Sequence, residues 1–160
     1  IEIGTSSFDL EKQLLDEIDP ADIDDDGVSA TYSAAYRWSN NIVVEGSLNY
    51  AGNVFFNFGL GDFYDTAEAK LLVGYTIPVA EHFRLVPMVG VSSWDIEIQE
   101  GAFLNPGPEA EAEADGTDLS YKLSAEFPFS SGFVLSLSYA NTQTDIGDLS
   151  MTQAGVKFEF

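Results

Sequence analysis

The sequence predicts an all-β protein, an eight-stranded antiparallel up-and-down transmembrane β-barrel, and three observations carry that prediction. Side chains alternate apolar and polar at period two along most of the chain, while helical periodicity is nearly absent. The connections alternate between tight turns and long acidic stretches. Aromatic residues (Tyr36, Trp38, Tyr50, Tyr75, Phe127, Phe129, Phe158, Phe160) gather near the ends of the alternating segments, where the two interfaces of a membrane would lie.

Eight strands are expected, at 1–9, 28–38, 42–56, 66–79, 84–98, 119–129, 133–143 and 150–160. The first precedes a long acidic connection. The second sets Val28, Ala30, Tyr32, Ala34, Tyr36 and Trp38 against Ser29, Thr31, Ser33 and Arg37. The tight turn "SNN" leads to the third, whose polar face carries Glu45, Ser47 and Asn49. The fourth opposes Leu71, Val73, Tyr75 and Ile77 to Glu68, Lys70, Gly74 and Thr76, and the turn "AEHF" joins it to the fifth. The sixth alternates Leu119, Tyr121, Leu123, Ala125 and Phe127 with Ser120, Lys122, Ser124 and Glu126. "SSG" introduces the seventh, and the eighth sets Val156, Phe158 and Phe160 against Gln153, Lys157 and Glu159. Segments of this length exceed the ~5–6 residues common in soluble sheets.

The polar face is too charged to be a dry core, so the apolar face is assigned to lipid: Leu71, Val73, Tyr75, Leu123, Val156 and Phe158 outward, Lys70, Glu126 and Lys157 inward. Closed pairing of an even number of strands satisfies every backbone polar group in lipid. No apolar run approaches the ~18–20 residues of a membrane helix. A length of 160 residues suits a single domain spanning 1–160. With 27 acidic residues against six basic ones and a net charge of −21, nucleic acid is excluded as a partner. There is no cysteine for a disulfide or thiolate metal site. The chain opens at Ile1 without a signal-peptide pattern, so any targeting segment is expected upstream.

Several stretches resemble the outer membrane protein A transmembrane-domain group of small eight-stranded barrels. They are "AYRWSNNIVVEGSLNY", "AKLLVGYTIPVAEHFRLVPMVGV", "SAEFPFSSGFVLSLSYANTQTDIGD" and the closing "AGVKFEF". The resemblance covers most of 28–160. It implies a bacterial outer-membrane location and contact with membrane lipid and lipopolysaccharide. It also implies that the insertion machinery reads the terminal strand through Phe160. Where the best-known member gates its interior with an arginine on strand seven, this chain has Ser136. The chain stops at Phe160 without a peptidoglycan-binding domain, and so resembles the short stand-alone members.

The chemistry expected of such a chain is structural. Glu45, Lys70, Lys122, Glu126 and Lys157 form the expected interior ionic network, with Glu2, Glu68 and Glu159 nearer the ends. Eight strands enclose just enough room for side chains to fill, which favours a plug over a channel. Histidine-serine chemistry at the outer leaflet lacks its histidine, since His82 sits in a short turn at the opposite end. No catalytic residue, metal ligand or cofactor is therefore assigned. Trp38 and Trp94 are read as interfacial anchors. Asp22, Asp24, Asp26 and Gly27 match the front of a calcium loop, but Ser33 stands where its closing glutamate belongs, so "DPADIDDDG" is read as a solvated acidic loop. The expected function is a monomeric, non-enzymatic barrel with a role in envelope structure and presenting acidic loops. The alternatives are a small pore and an adhesin acting through its loops.

Overall fold

The computed structural model describes residues 1–10, 26–52, 63–99, 111–129, 132–144 and 147–159. They form nine strand segments: β1 (Glu2–Leu10), β2 (Asp26–Arg37), β3 (Ile42–Gly52), β4 (Phe63–Tyr75), β5 (Ile77–Ala80), β6 (Phe83–Gln99), β7 (Glu111–Pro128), β8 (Phe133–Gln143) and β9 (Gly147–Phe158). β4 and β5 make one wall strand interrupted at Thr76, whose N–H donates to the Asn41 carbonyl at 2.8 Å. Neighbours pair in the order β4-β3-β2-β1-β9-β8-β7-β6-β5, and a β4–β6 ladder closes the ring. The wall is thus an eight-stranded antiparallel barrel. Most of "DPADIDDDG" lies outside the described residues.

Local chemistry fixes the tight turns. Asn41 closes the β2–β3 turn at φ 67, a left-handed conformation that asparagine tolerates. Gly132 adopts φ 77 before β8, and a Cβ there would come within 2.8 Å of the Glu159 carbonyl oxygen.

Alternation then sorts the wall into two faces. Leu71, Val73, Tyr75, Leu123 and Phe158 are exposed on the outside, with Val156 half-buried. Lys70, Lys122, Glu126 and Glu45 are buried inside, with Lys157 half-buried. The interior is not uniformly polar: Val43, Leu72, Val86 and Met88 form an apolar cluster within it.

Two expectations are corrected. Trp94 is not an interfacial anchor. It shares the inward parity of Ser92 and Ile96 on β6, is 4% exposed, and donates its indole N–H to Asp118 Oδ2 at 2.7 Å. Trp38 does sit exposed at a strand end, edge-on to Tyr36 at 4.8 Å. The second correction concerns strand length. β7 begins at Glu111 rather than 119, so part of the acidic connection 99–118 is sheet. β6 and β7 pair continuously from Arg84↔Glu126 to Gln99↔Glu111, whereas β7 and β8 pair only over Ser120↔Thr142 to Pro128↔Val134. The β6–β7 hairpin therefore rises past its β8 neighbour at the end of the barrel opposite the tight turns.

Candidate functional site

The inward faces of seven strands (β1, β2, β3, β4, β6, β7 and β9) deliver charge to the lumen, and the pleat dictates which residues take part. At the tight-turn end, Glu126 of β7 is the hub. Its carboxylate accepts from Arg84 Nε at 2.6 Å, Arg37 Nη2 at 3.1 Å and Lys157 Nζ at 3.0 Å. Arg37 and Arg84 both also hydrogen-bond Glu159. Next to this cluster, Lys122 donates to Glu2 at 2.7 Å and Glu45 at 2.9 Å, and Ser136 Oγ donates to Glu2 at 2.8 Å. Lys157 stands 3.8 Å from Glu2 and 3.7 Å from Glu45, which links the two groups.

Lys70 keeps separate company. It pairs with Glu68 at 2.9 Å on its own strand rather than with Glu45 or Glu126. Glu68 also accepts from Ser92 at 3.0 Å and Thr142 at 2.8 Å. Beyond it, uncharged polar groups fill the lumen. Thr31 Oγ1 lies 2.6 Å from Asn49 and 2.8 Å from Gln153, and Gln153 donates to Ser29 at 3.0 Å.

Arg37, Lys70, Arg84, Lys122 and Lys157 thus meet Glu2, Glu45, Glu68, Glu126 and Glu159 in balanced numbers. Burying an unpaired charge in such a space is costly, and each of these side chains has a partner. The roles of Arg37 and Arg84 escape a reading of single strands. Arg37 has inward parity in β2, but parity does not tell which carboxylate faces it across the lumen.

Beside the Glu126 hub lies a cavity of about 460 Å³, whose lining includes Arg37, Glu126 and Lys157 together with Val43, Val86 and Met88. Among the described residues, no group of three or more His, Cys, Asp or Glu side chains is arranged to hold a metal ion. His82 is exposed in the β5–β6 turn, 3.9 Å from Glu81.

A second charged region lies outside, on the projecting end of β4, β6 and β7. Asp65, Glu97 and Glu113 occupy one cross-strand row. In the next row Asp95 faces Asp115 directly. All five are exposed, and every lysine and arginine among the described residues points into the lumen.

Residues 2–160 match the family model described as the outer membrane protein beta-barrel domain. No curated protein matches the chain in sequence. Among solved structures, it resembles the attachment invasion locus protein Ail of Yersinia pestis at 16% identity and a TM-score of 0.64, covering 99% of this chain and 95% of that one. It resembles Neisserial surface protein A at 11% identity and a TM-score of 0.71, with the same coverage. The N-terminal β-barrel domain of Pseudomonas aeruginosa OprF follows at 16% identity and a TM-score of 0.51, over 99% and 97% of the two chains. At these identities the likeness is one of fold.

Proposed function

The chain belongs to the outer membrane protein β-barrel domain family of the bacterial outer membrane, and on that premise we propose that it is a non-enzymatic integral barrel with a plugged lumen. It contributes to envelope structure and presents an acidic surface to the medium. Tight turns face the periplasm and long connections the outside, as in outer-membrane barrels generally. The single observation that carries the plug is the Glu126–Lys157–Glu45–Lys122–Glu2 network, whose paired charges cross the lumen. Its natural surroundings on this reading are outer-membrane lipid and lipopolysaccharide. The barrel acts as a monomer and is inserted through a terminal strand ending in Phe160.

Planar-bilayer recording tests the proposal: the purified barrel is expected to give no reproducible open steps. Steps that vanish in Lys70→Met or Glu45→Gln would replace the plug with a small pore.

Surface recognition is the second reading, and the projecting β6–β7 hairpin favours it. The Yersinia protein was solved in complex with the heparin analogue sucrose octasulfate. A sulfated polyanion suits this chain poorly, because its described exterior carries carboxylates and no lysine or arginine to receive sulfate. Any partner recognised here should instead be neutral or basic.

A further inference from the structure

The outer wall carries a groove of about 430 Å³, lined by residues that include Tyr50, Ala67, Ala69, Ser93, Asp95 and Asp115. Register explains its shape. Tyr50, Ala67, Asp95 and Asp115 stand in one cross-strand row over β3, β4, β6 and β7, and Leu48, Ala69, Ser93 and Thr117 stand in the next outward row. Small Ala67 and Ala69 on β4 leave a dip between exposed Tyr50 and Leu48 on β3 and exposed Ser93 and Asp95 on β6. The dip lies on a border. Towards the tight turns the following outward row is apolar, with Leu71, Val91 and Leu119 all exposed. Away from them the following row is acidic, with Asp65, Glu97 and Glu113.

Three features of this groove select one ligand chemistry. Asp95 and Asp115 are directly opposed like charges, which repel in a ladder, and no described lysine or arginine points outward to relieve them. Tyr50 offers an aromatic face, which attracts a cation within about 6 Å of the ring. Spacing suits both partners at once. Strands about 4.8 Å apart put Tyr50 and Asp95 about 10 Å from each other across Ala67. An ammonium about 2.8 Å from the carboxylate and within about 6 Å of the ring spans that distance. The third feature is the apolar row alongside, which gives a hydrocarbon chain its place and would be idle against a wholly polar amine. We propose that this groove binds a cationic amphiphile of the membrane surface, with its ammonium between the Tyr50 ring and the Asp95–Asp115 pair and its chain over Leu71 and Val91. That the groove opens at the outer surface rests on the orientation argued under Proposed function; the chemistry of the site does not.

The test uses the full chain refolded in phosphatidylcholine nanodiscs and titrated with dodecylamine, a cation at neutral pH, with NMR shifts as the readout. Saturable shifts centred on Tyr50, Ala67, Ala69 and Ser93 are expected. Affinity should fall about tenfold in the Asp95→Asn, Asp115→Asn double variant and about threefold in Tyr50→Leu. Dodecanol keeps the chain without the charge, ethylamine the charge without the chain, and each should bind about tenfold more weakly or worse. Equal binding of dodecanol, an unchanged affinity in the double variant, or shifts spread evenly round the outer wall would overturn the proposal. So would a lysine-rich peptide that holds the same residues more tightly than dodecylamine does, since the partner would then be a protein. Phosphatidylethanolamine added to the discs separates two sources of the chemistry. Shifts at the same residues assign the groove to the membrane's own lipid, and a response to dodecylamine alone assigns it to a free amphiphile. A disc exposes both faces of the bilayer, so a failure there counts against the site and leaves the orientation standing.

Discussion

Glu126 and Glu113 belong to the same strand and live in opposite electrostatic surroundings. Glu126 points into the lumen, is almost wholly buried, and is contacted by Arg37, Arg84 and Lys157. Glu113 points outward near the far end of β7, faces Glu97 across the ladder, and has no described cation beside it. Water explains the difference. In the lumen, a carboxylate stripped of solvent needs a specific partner, so the described basic residues are drawn there. On the projecting wall, solvent and mobile counter-ions screen carboxylates over a Debye length of about 8–10 Å, so like charges survive side by side. One chain thus uses the same residue type as a structural fastening inside and as a repulsive surface outside.

The comparison breaks most sharply at Lys122. Lys122→Met strands Glu2 and Glu45 without their shorter ion pair, and breaking a buried pair from one side is expected to cost about 3–5 kcal/mol. Urea unfolding in lipid vesicles measures it. An unchanged midpoint would mean that these carboxylates are solvated.

A charge moved to the lipid face tests the sorting of faces. Val73 is exposed near the middle of the wall, and Val73→Arg should cost about 2–4 kcal/mol in the same vesicle assay. Indifference would place Val73 on the wrong side of the wall.

Gly116 sits between the two regions. A Cβ there would lie 2.7 Å from the Trp94 ring, so Gly116→Ala should displace the indole and cost about 1–3 kcal/mol. Shifted Trp94 fluorescence would accompany it. An unshifted spectrum would contradict the packing of Trp94 under β7.

The smallest effect is expected outside. Asp115→Asn removes one of two directly opposed carboxylates and should stabilise the barrel by about 0.2–1 kcal/mol at low salt. The gain should fade as salt is raised. A gain that persists at high salt would point to packing instead of charge.

Strand parity and barrel architecture were legible because lipid on one side and a narrow lumen on the other impose strict alternation. The β7 extension was not. Above the membrane a strand has no lipid to face, so 111–118 alternates acids with small residues and reads as a polar loop. Trp94 was misjudged on residue type, although its spacing from Ser92 already gave inward parity. Strand parity points Glu45, Lys70, Lys122, Glu126 and Lys157 inward, but it gives neither the part played by Arg37 and Arg84 nor the pairing. Which strands face one another across the lumen depends on register around the ring, and this put Arg37 beside Glu126 and left Lys70 with Glu68. The apolar cluster of Val43, Leu72, Val86 and Met88 runs against the rule that assigns apolar residues to lipid, so alternation alone hides it.

Lysine reactivity tests the interior most directly. Lys70 and Lys122 side chains are 2% and 4% exposed and held in ion pairs. In a folded barrel exposed to an amine-reactive reagent and read by mass spectrometry, both should stay unmodified for as long as the barrel stays folded, and react once urea opens it. Modification of Lys122 in the folded barrel at the rate seen for the unfolded chain would contradict a plugged lumen.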